Sequence, residues 1–190
     1  MTKLTLEGKC IELKEFNDNN LYDPSYHKWL RDIDVVSALY RMEYLMPLQF
    51  SEIEEYVKIL YKSNKDCLFA IYEKSNDSFV GTVKIGHIDW RSGICDIGIM
   101  IGDENSRGKG YSKEALILAC DYAFNILSLR KITAGTYSNN IAMIKSFSRL
   151  GFTQEGQKRK ELLVKGEYFN HLFMDKRISH YKLQFNMIYL

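Results

Sequence analysis

A chain of 190 residues with 46% hydrophobic, 13% aromatic and 26% charged residues carries enough apolar material for one domain, which excludes disordered or collagen-like chains and two full enzyme domains. Its 26 Lys and Arg against 24 Asp and Glu leave a net charge of +2, without the basic excess that phosphate neutralisation demands, so no DNA partner is expected. Four scattered cysteines, Cys10, Cys67, Cys95 and Cys120, form no C-x-x-C pair, which argues against a zinc site or a disulfide framework and for reduced thiols in a cytosol.

The opening residues alternate apolar and polar instead of forming the apolar stretch of a signal peptide, and no later segment approaches the ~18 apolar residues of a membrane span. A cytoplasmic protein with no membrane contact is expected. Residues 4–13 place Leu4, Leu6, Ile11 and Leu13 around Gly8, the pattern of a bent strand or hairpin. After Pro24, the spacing of Tyr26, Trp29, Leu30 and Ile33 predicts a helix. A second helix starts at Ser51, where Ser51-Glu52-Ile53-Glu54 offers a capping box to a stripe of Ile53, Tyr56, Val57 and Leu60. Residues 41–50 between them, with Pro47, read as a loop.

Residues 67–72, 79–89 and 94–101 are β-rich runs separated by turn residues, which predicts an antiparallel meander. A helical stripe follows over residues 112–127, then a strand over 131–137, a helix over 141–150 ended by Gly151, and closing strands at 152–155 and 167–175. This order implies an α+β fold whose mixed sheet has a parallel portion near its middle. No linker or repeat divides the chain, so residues 1–178 are expected to form a single domain. The apolar tail at 179–190 would pack on its own domain or form the contact of a homodimer.

The chemistry is concentrated after the third strand of the meander, in Gly102-Asp103-Glu104-Asn105-Ser106-Arg107-Gly108-Lys109-Gly110-Tyr111-Ser112. A glycine-rich turn at a helix start exposes backbone N–H groups to the positive end of the helix dipole, a site for a phosphate or pyrophosphate. A Walker A loop does not fit, because five residues separate Gly102 from Gly108 and Gly110 stands where Ser or Thr belongs. A dinucleotide fingerprint lacks its third glycine. The remaining match, Arg-Gly-x-Gly-x-Ser, resembles the acetyl-CoA pyrophosphate loop of the GNAT acyltransferases. Leu129-Arg130-Lys131-Ile132, Asn139-Asn140-Ile141-Ala142 and Lys145-Ser146-Phe147-Ser148-Arg149-Leu150-Gly151-Phe152 extend the likeness. So do Trp29-Leu30-Arg31-Asp32 and Gly166-Glu167-Tyr168, which resemble the branch of ribosomal-protein N-terminal, spermidine and amino-sugar acetyltransferases.

The resemblance implies the acyl-CoA N-acyltransferase fold, a mixed central sheet with two splayed parallel strands and flanking helices. It implies acetyl-CoA as cosubstrate, no metal, and direct attack of an amine on the thioester in the gap between residues 97–102 and 131–137. Met100, Ile101 and Gly102 would pair with the pantetheine arm, while N–H groups of Arg107, Gly108, Lys109, Gly110, Tyr111 and Ser112 hold the pyrophosphate. A strand N–H near Ile99 would stabilise the oxyanion. Asn140, eleven residues before Gly151, would contact the cofactor arm, and it also suits a helix N-cap.

Phe147 stands at the cofactor where many relatives carry the Tyr that protonates the departing thiolate, and Met143 replaces a frequent Ser. Phe cannot donate a proton, which leaves water, Tyr137 or Ser146. Asp96 is the expected general base, acting through a water, with Asp89 and His87 next. Acceptor contacts would come from Trp29, Arg31, Asp32, residues 41–47, Asp89, Tyr168, Asn170 and His171, although Trp29 also fits a plain core stripe. Lys158-Arg159-Lys160 reads as a solvated turn. The function implied is acetyl-CoA-dependent N-acetylation of a primary amine, on a protein N-terminus or a small amine such as a nucleotide amino sugar or polyamine. The alternative is a catalytically impaired acyl-CoA-binding module, which the Phe147 and Met143 departures favour.

Overall fold

The structure, a computed structural model, describes residues 4–39 and 49–178. The expected loop at 41–47 and the apolar tail at 179–190 lie outside the described residues. Two compact units are present, Met1–His87 with Gly98–Ala119 and Ile88–Ile97 with Cys120–Leu190.

In the first unit β1 (Thr5–Glu7) and β2 (Ile11–Glu15) form the hairpin that the alternation around Gly8 predicts, with Thr5 opposite Lys14. The meander follows as β3 (Cys67–Glu73), β4 (Ser78–Asp89) and β5 (Ile94–Ile101). The strand order is β1-β2-β3-β4-β5, with β2 to β4 antiparallel. Four helices precede the meander: α1 (Asp18–Leu21), α2 (Pro24–Trp29), α3 (Ile33–Leu39) and α4 (Phe50–Lys62). Their apolar sides bury Leu21, Tyr26, Trp29, Leu30, Val35, Ile53 and Val57 in one cluster with Phe16, Ala70 and Met100.

Two expectations change here. The single helix through residues 26–33 is broken, because Asp23 caps α2 through the Ser25 N–H while Asp32 accepts the Asp34 N–H at the start of α3. Two separate acidic caps make two helices. At α4 the predicted box moves two residues earlier: Glu52 accepts the N–H of Gln49 at 2.8 Å, and the helix starts at Phe50.

α5 (Tyr111–Asp121) starts the crossover and ends in a π-helical turn, Tyr122–Ile126, rather than running as one α-helix to residue 127. In the second unit β5 runs parallel to β6 (Lys131–Tyr137), pairing Ile94 with Lys131 and Asp96 with Thr133. The order continues β6-β8-β7 in antiparallel pairs, so the sheet is mixed. α6 (Ile141–Arg149) is capped by Asn140, whose side chain accepts the Met143 N–H at 3.1 Å, and it ends at Gly151 with φ +82°. β7 (Thr153–Val164) is far longer than the expected 152–155, and β8 (Glu167–Arg177) closes the hairpin. The two-residue turn between them, Lys165-Gly166, has positive φ at both positions, the geometry that matches strand twist in tight hairpins.

Candidate active site

The loop between β5 and α5 is built by conformation rather than by side chains. Gly108 and Gly110 adopt φ of +77° and +87°, in a left-handed region that strains any other residue, and both are exposed. The first intrahelical bond at this end of α5 runs from the Glu114 N–H to the Gly110 carbonyl. Helix geometry therefore leaves the N–H groups of Tyr111, Ser112 and Lys113 without an intrahelical acceptor, at the positive end of the dipole. Arg107 departs from the expected series, because its backbone N–H donates to Glu104 inside a short 3-10 turn. Gly102 is also engaged: its N–H donates to Val80, and its carbonyl accepts from the Arg107 guanidinium.

Side chains of the first unit hold this loop from below. A Cβ on Gly102 would fall 2.0 Å from Trp29 Cδ2, so glycine is required for the indole to lie against the strand end. Trp29 itself is 5% exposed and packs on Phe79 with ring centroids 4.9 Å apart, which is the core reading of that residue. Met100 is likewise buried in the core, Ile99 and Ile101 are half-buried, and Arg31 is exposed. Glu73, which sequence reading leaves in a turn, accepts a 2.6 Å bond from the Tyr111 hydroxyl and lies 3.7 Å from the Lys109 ammonium. This bond to the carboxylate pushes the Tyr111 phenol up to about 12 and holds Glu73 below its ordinary value. Glu114, also missed, accepts the Cys10 N–H at 2.9 Å. No local signal marks Glu73 or Glu114, since each partner is distant in sequence.

In the second unit Asp96 is half-buried on β5, on the face opposite the buried Cys95 and Ile97. Asp89 does not join Tyr168 and Asn170. It ends β4, just before the turn into β5, with its carboxylate accepting the N–H groups of Arg91 and Ser92, whereas Asn170 lies at the far end of β6. There the Asn170 backbone brackets Ser138, two residues before Asn140. The Asn170 side chain is occupied by the β7 bulge, accepting the N–H of Lys160 (φ +54°) at 3.0 Å and donating to Gln157.

His171 stacks on Tyr137 at 4.7 Å and 19°, with Nδ1 2.6 Å from Glu161. Burial raises the Tyr137 phenol, while Lys158 and then His171 lower Glu161. Tyr168 is exposed, with the Lys160 ammonium over its ring. Phe147 is 2% exposed and packs on Phe152, and the Ser146 hydroxyl donates to the Ala142 carbonyl.

A cleft of about 440 Å³ lined by Glu15, Phe16, Asn17, Asp18, Asn19 and Tyr61 contains none of the predicted site residues. Among the described residues, no three His, Cys, Asp or Glu side chains gather into a group that could hold a metal ion, and no helix is long and apolar enough to cross a membrane.

A glycine turn of positive φ that joins a strand with a parallel neighbour to the start of a helix is the arrangement expected of an acyl-transfer fold. The family model described as acetyltransferase (GNAT) domain matches residues 13–153. The chain is 33% identical to the probable N-acetyltransferase YjcK of Bacillus subtilis over 67% of this chain and 70% of that protein. It is 27% identical to an N-acetyltransferase 9-like protein of Nematostella vectensis over 96% of each chain. A spermidine N(1)-acetyltransferase of Vibrio cholerae is 28% identical over 63% of this chain and 68% of that protein. The crystal structure of spermidine N-acetyltransferase from Vibrio cholerae in complex with CoA and spermine has the same fold, with a TM-score of 0.79, 22% identity, and coverage of 90% of this chain and 96% of that one. The chain belongs to the GNAT acetyltransferase family. It is accordingly an N-acetyltransferase that uses acetyl-CoA as its cosubstrate.

Proposed function

We propose that this protein, as a single domain over residues 1–178 acting in the cytoplasm, acetylates a primary amine, either a small amine such as a polyamine or nucleotide amino sugar or a protein N-terminus. The observation that carries the reading is the loop at the head of α5, where exposed glycines of positive φ precede helix N–H groups that lack intrahelical acceptors. Gly108 through Ser112 hold the pyrophosphate, the strand edge at Met100 and Ile101 aligns the pantetheine, and the Asn140 amide contacts the same arm. The acceptor amine attacks the thioester carbonyl, Asp96 takes its proton through a water, and the N–H near Ile99 stabilises the oxyanion. Phe147, expected at the cosubstrate, is instead buried against Phe152 and has no proton to give, so the departing thiolate takes its proton from water or from the Tyr137 hydroxyl. The relatives that act on spermidine make polyamines the first acceptors to assay.

Two measurements test this. Thiol release from acetyl-CoA across polyamines, nucleotide amino sugars, aminoglycosides and N-terminal peptides should give turnover with one class; CoA binding with no turnover on any of them would favour the acyl-CoA-binding module. Gly110→Asp places a Cβ and a carboxylate at an anion site and requires a strained φ. It should abolish CoA binding in calorimetry while the fold persists by circular dichroism, and unchanged CoA affinity would sink the loop assignment.

A further inference from the structure

The Arg of the loop motif points away from the turn that follows it. Arg107 Nη2 lies 3.1 Å from the Gly102 carbonyl and 3.3 Å from Asp32 Oδ2, with Nε 3.4 Å from the Ile101 carbonyl. These two carbonyls end β5, where the Gly102 and Asp103 N–H groups both donate to Val80 and the Trp29 indole closes over Gly102. Asp32 is fixed independently: its other carboxylate oxygen accepts the Asp34 N–H at 2.9 Å at the start of α3. One side chain thus joins the strand end, the first residue of the turn and the cap of a helix. Gly108, the next residue, reverses the chain with φ +77°, so where the N–H groups of the turn point depends on where Arg107 is held.

We propose that Arg107 acts as a positioning residue, anchored by Asp32, that sets the anion-binding turn, and that its guanidinium is not a ligand of the phosphates. This rests on reading the turn as the CoA site. The electrostatics give the idea a sign. A carboxylate near a site for a polyanion opposes binding, so if Arg107 faced the phosphates, neutralising Asp32 would leave CoA affinity unchanged or improve it. If Arg107 is a strut, the same change loosens the turn and weakens binding although a repulsive charge has gone.

The test is calorimetric titration of the full chain with CoA. Asp32→Asn keeps an oxygen to cap α3 but removes the charge that holds Arg107. It should raise the CoA dissociation constant roughly fivefold, the scale of one half-exposed ion pair with its attached hydrogen bonds. Binding stoichiometry should stay near one, which separates weakened binding from a partly unfolded sample. Asp32→Glu should recover most of the affinity, and Arg107→Gln combined with Asp32→Asn should bind no worse than Arg107→Gln alone, as expected when two residues act through one contact. Equal or tighter binding by Asp32→Asn, or additive losses in the double variant, would overturn the proposal while leaving the CoA site in place. Failure of the unmodified protein to bind CoA would instead overturn the site assignment and this proposal with it.

Discussion

At the scale of single residues, Asp96 carries the sharpest chemical claim. It is half-buried on β5 in register with Thr133, and its face of the strand is opposite the one that buries Cys95 and Ile97. A carboxylate acting through a water matters only while the acceptor is an ammonium. Asp96→Ala should therefore lower kcat/KM by about 10²-fold or more near pH 7, the usual scale of general-base catalysis, and by much less near pH 10, where a larger share of an alkylamine is neutral. A pH–rate profile of the variant parallel to that of the unmodified enzyme would remove Asp96 from the role. Its position was legible because alternation within one strand is a local pattern. What Arg107 and Tyr111 do with their side chains was not, since their partners Asp32 and Glu73 lie on other elements. Nothing within the turn marks either carboxylate as a neighbour.

At the scale of elements, the cap that Asn140 gives α6 and the cosubstrate contact proposed for it can be separated. Asn140 caps the helix through its side-chain oxygen, leaving the amide nitrogen as the group that would meet a cosubstrate. Asn140→Ala should cost about 1 kcal/mol of stability, the usual value of a lost N-cap, and also weaken CoA binding. Asn140→Asp retains the cap and adds a charge at a helix N-terminus, so its stability should match or exceed that of the unmodified protein. CoA binding by this variant should still fall, because the donor has become an acceptor. Denaturant unfolding and CoA titration on the same samples would show whether the two roles part; equal CoA affinity in Asn140→Asp and the unmodified protein would reduce Asn140 to a cap. The core strands were readable from apolar runs, and β5 and β6 occupy the predicted residues. β7 was not, because almost its whole length is exposed and its register shifts twice against β8, so no period of two survives in the sequence. The break between α2 and α3 was hidden for the opposite reason: the apolar spacing of Tyr26, Trp29 and Ile33 continues across it, while Asp32 ends one helix run and starts another.

At the scale of the whole molecule, the net charge of +2 is too small for self-repulsion to govern stability near neutral pH, so acid sensitivity should come from particular carboxylates. Asp175 is the most deeply buried of them. Its side chain is 3% exposed, and burial alone would push its pKa up, but the Arg177 guanidinium at 2.7 Å, the Thr153 hydroxyl at 3.1 Å and the Lys131 ammonium at 3.6 Å together hold it below the ordinary value. Asp66 is lowered in the same way, its burial outweighed by bonds from Ser63, His87 and Lys84. Asp32 is lowered chiefly by the Asp34 N–H, with Arg107 adding to it. A carboxylate with a depressed folded pKa contributes stability that is complete above its unfolded value, about 4, and is lost as pH falls through the lower folded one. Stability should therefore hold level down to about pH 5 and then decline with acid, as the unfolded chain takes up protons before the folded one does. Asp175→Asn should lower stability at pH 7 by about 1–3 kcal/mol, through a buried hydrogen-bond set left with its cations unmatched. The same variant should show a shallower decline below pH 5, because one of the groups that drives it is gone. Urea unfolding at pH 7, 5 and 4 measures both terms, and an acid slope identical to that of the unmodified protein would show that Asp175 does not carry the linkage.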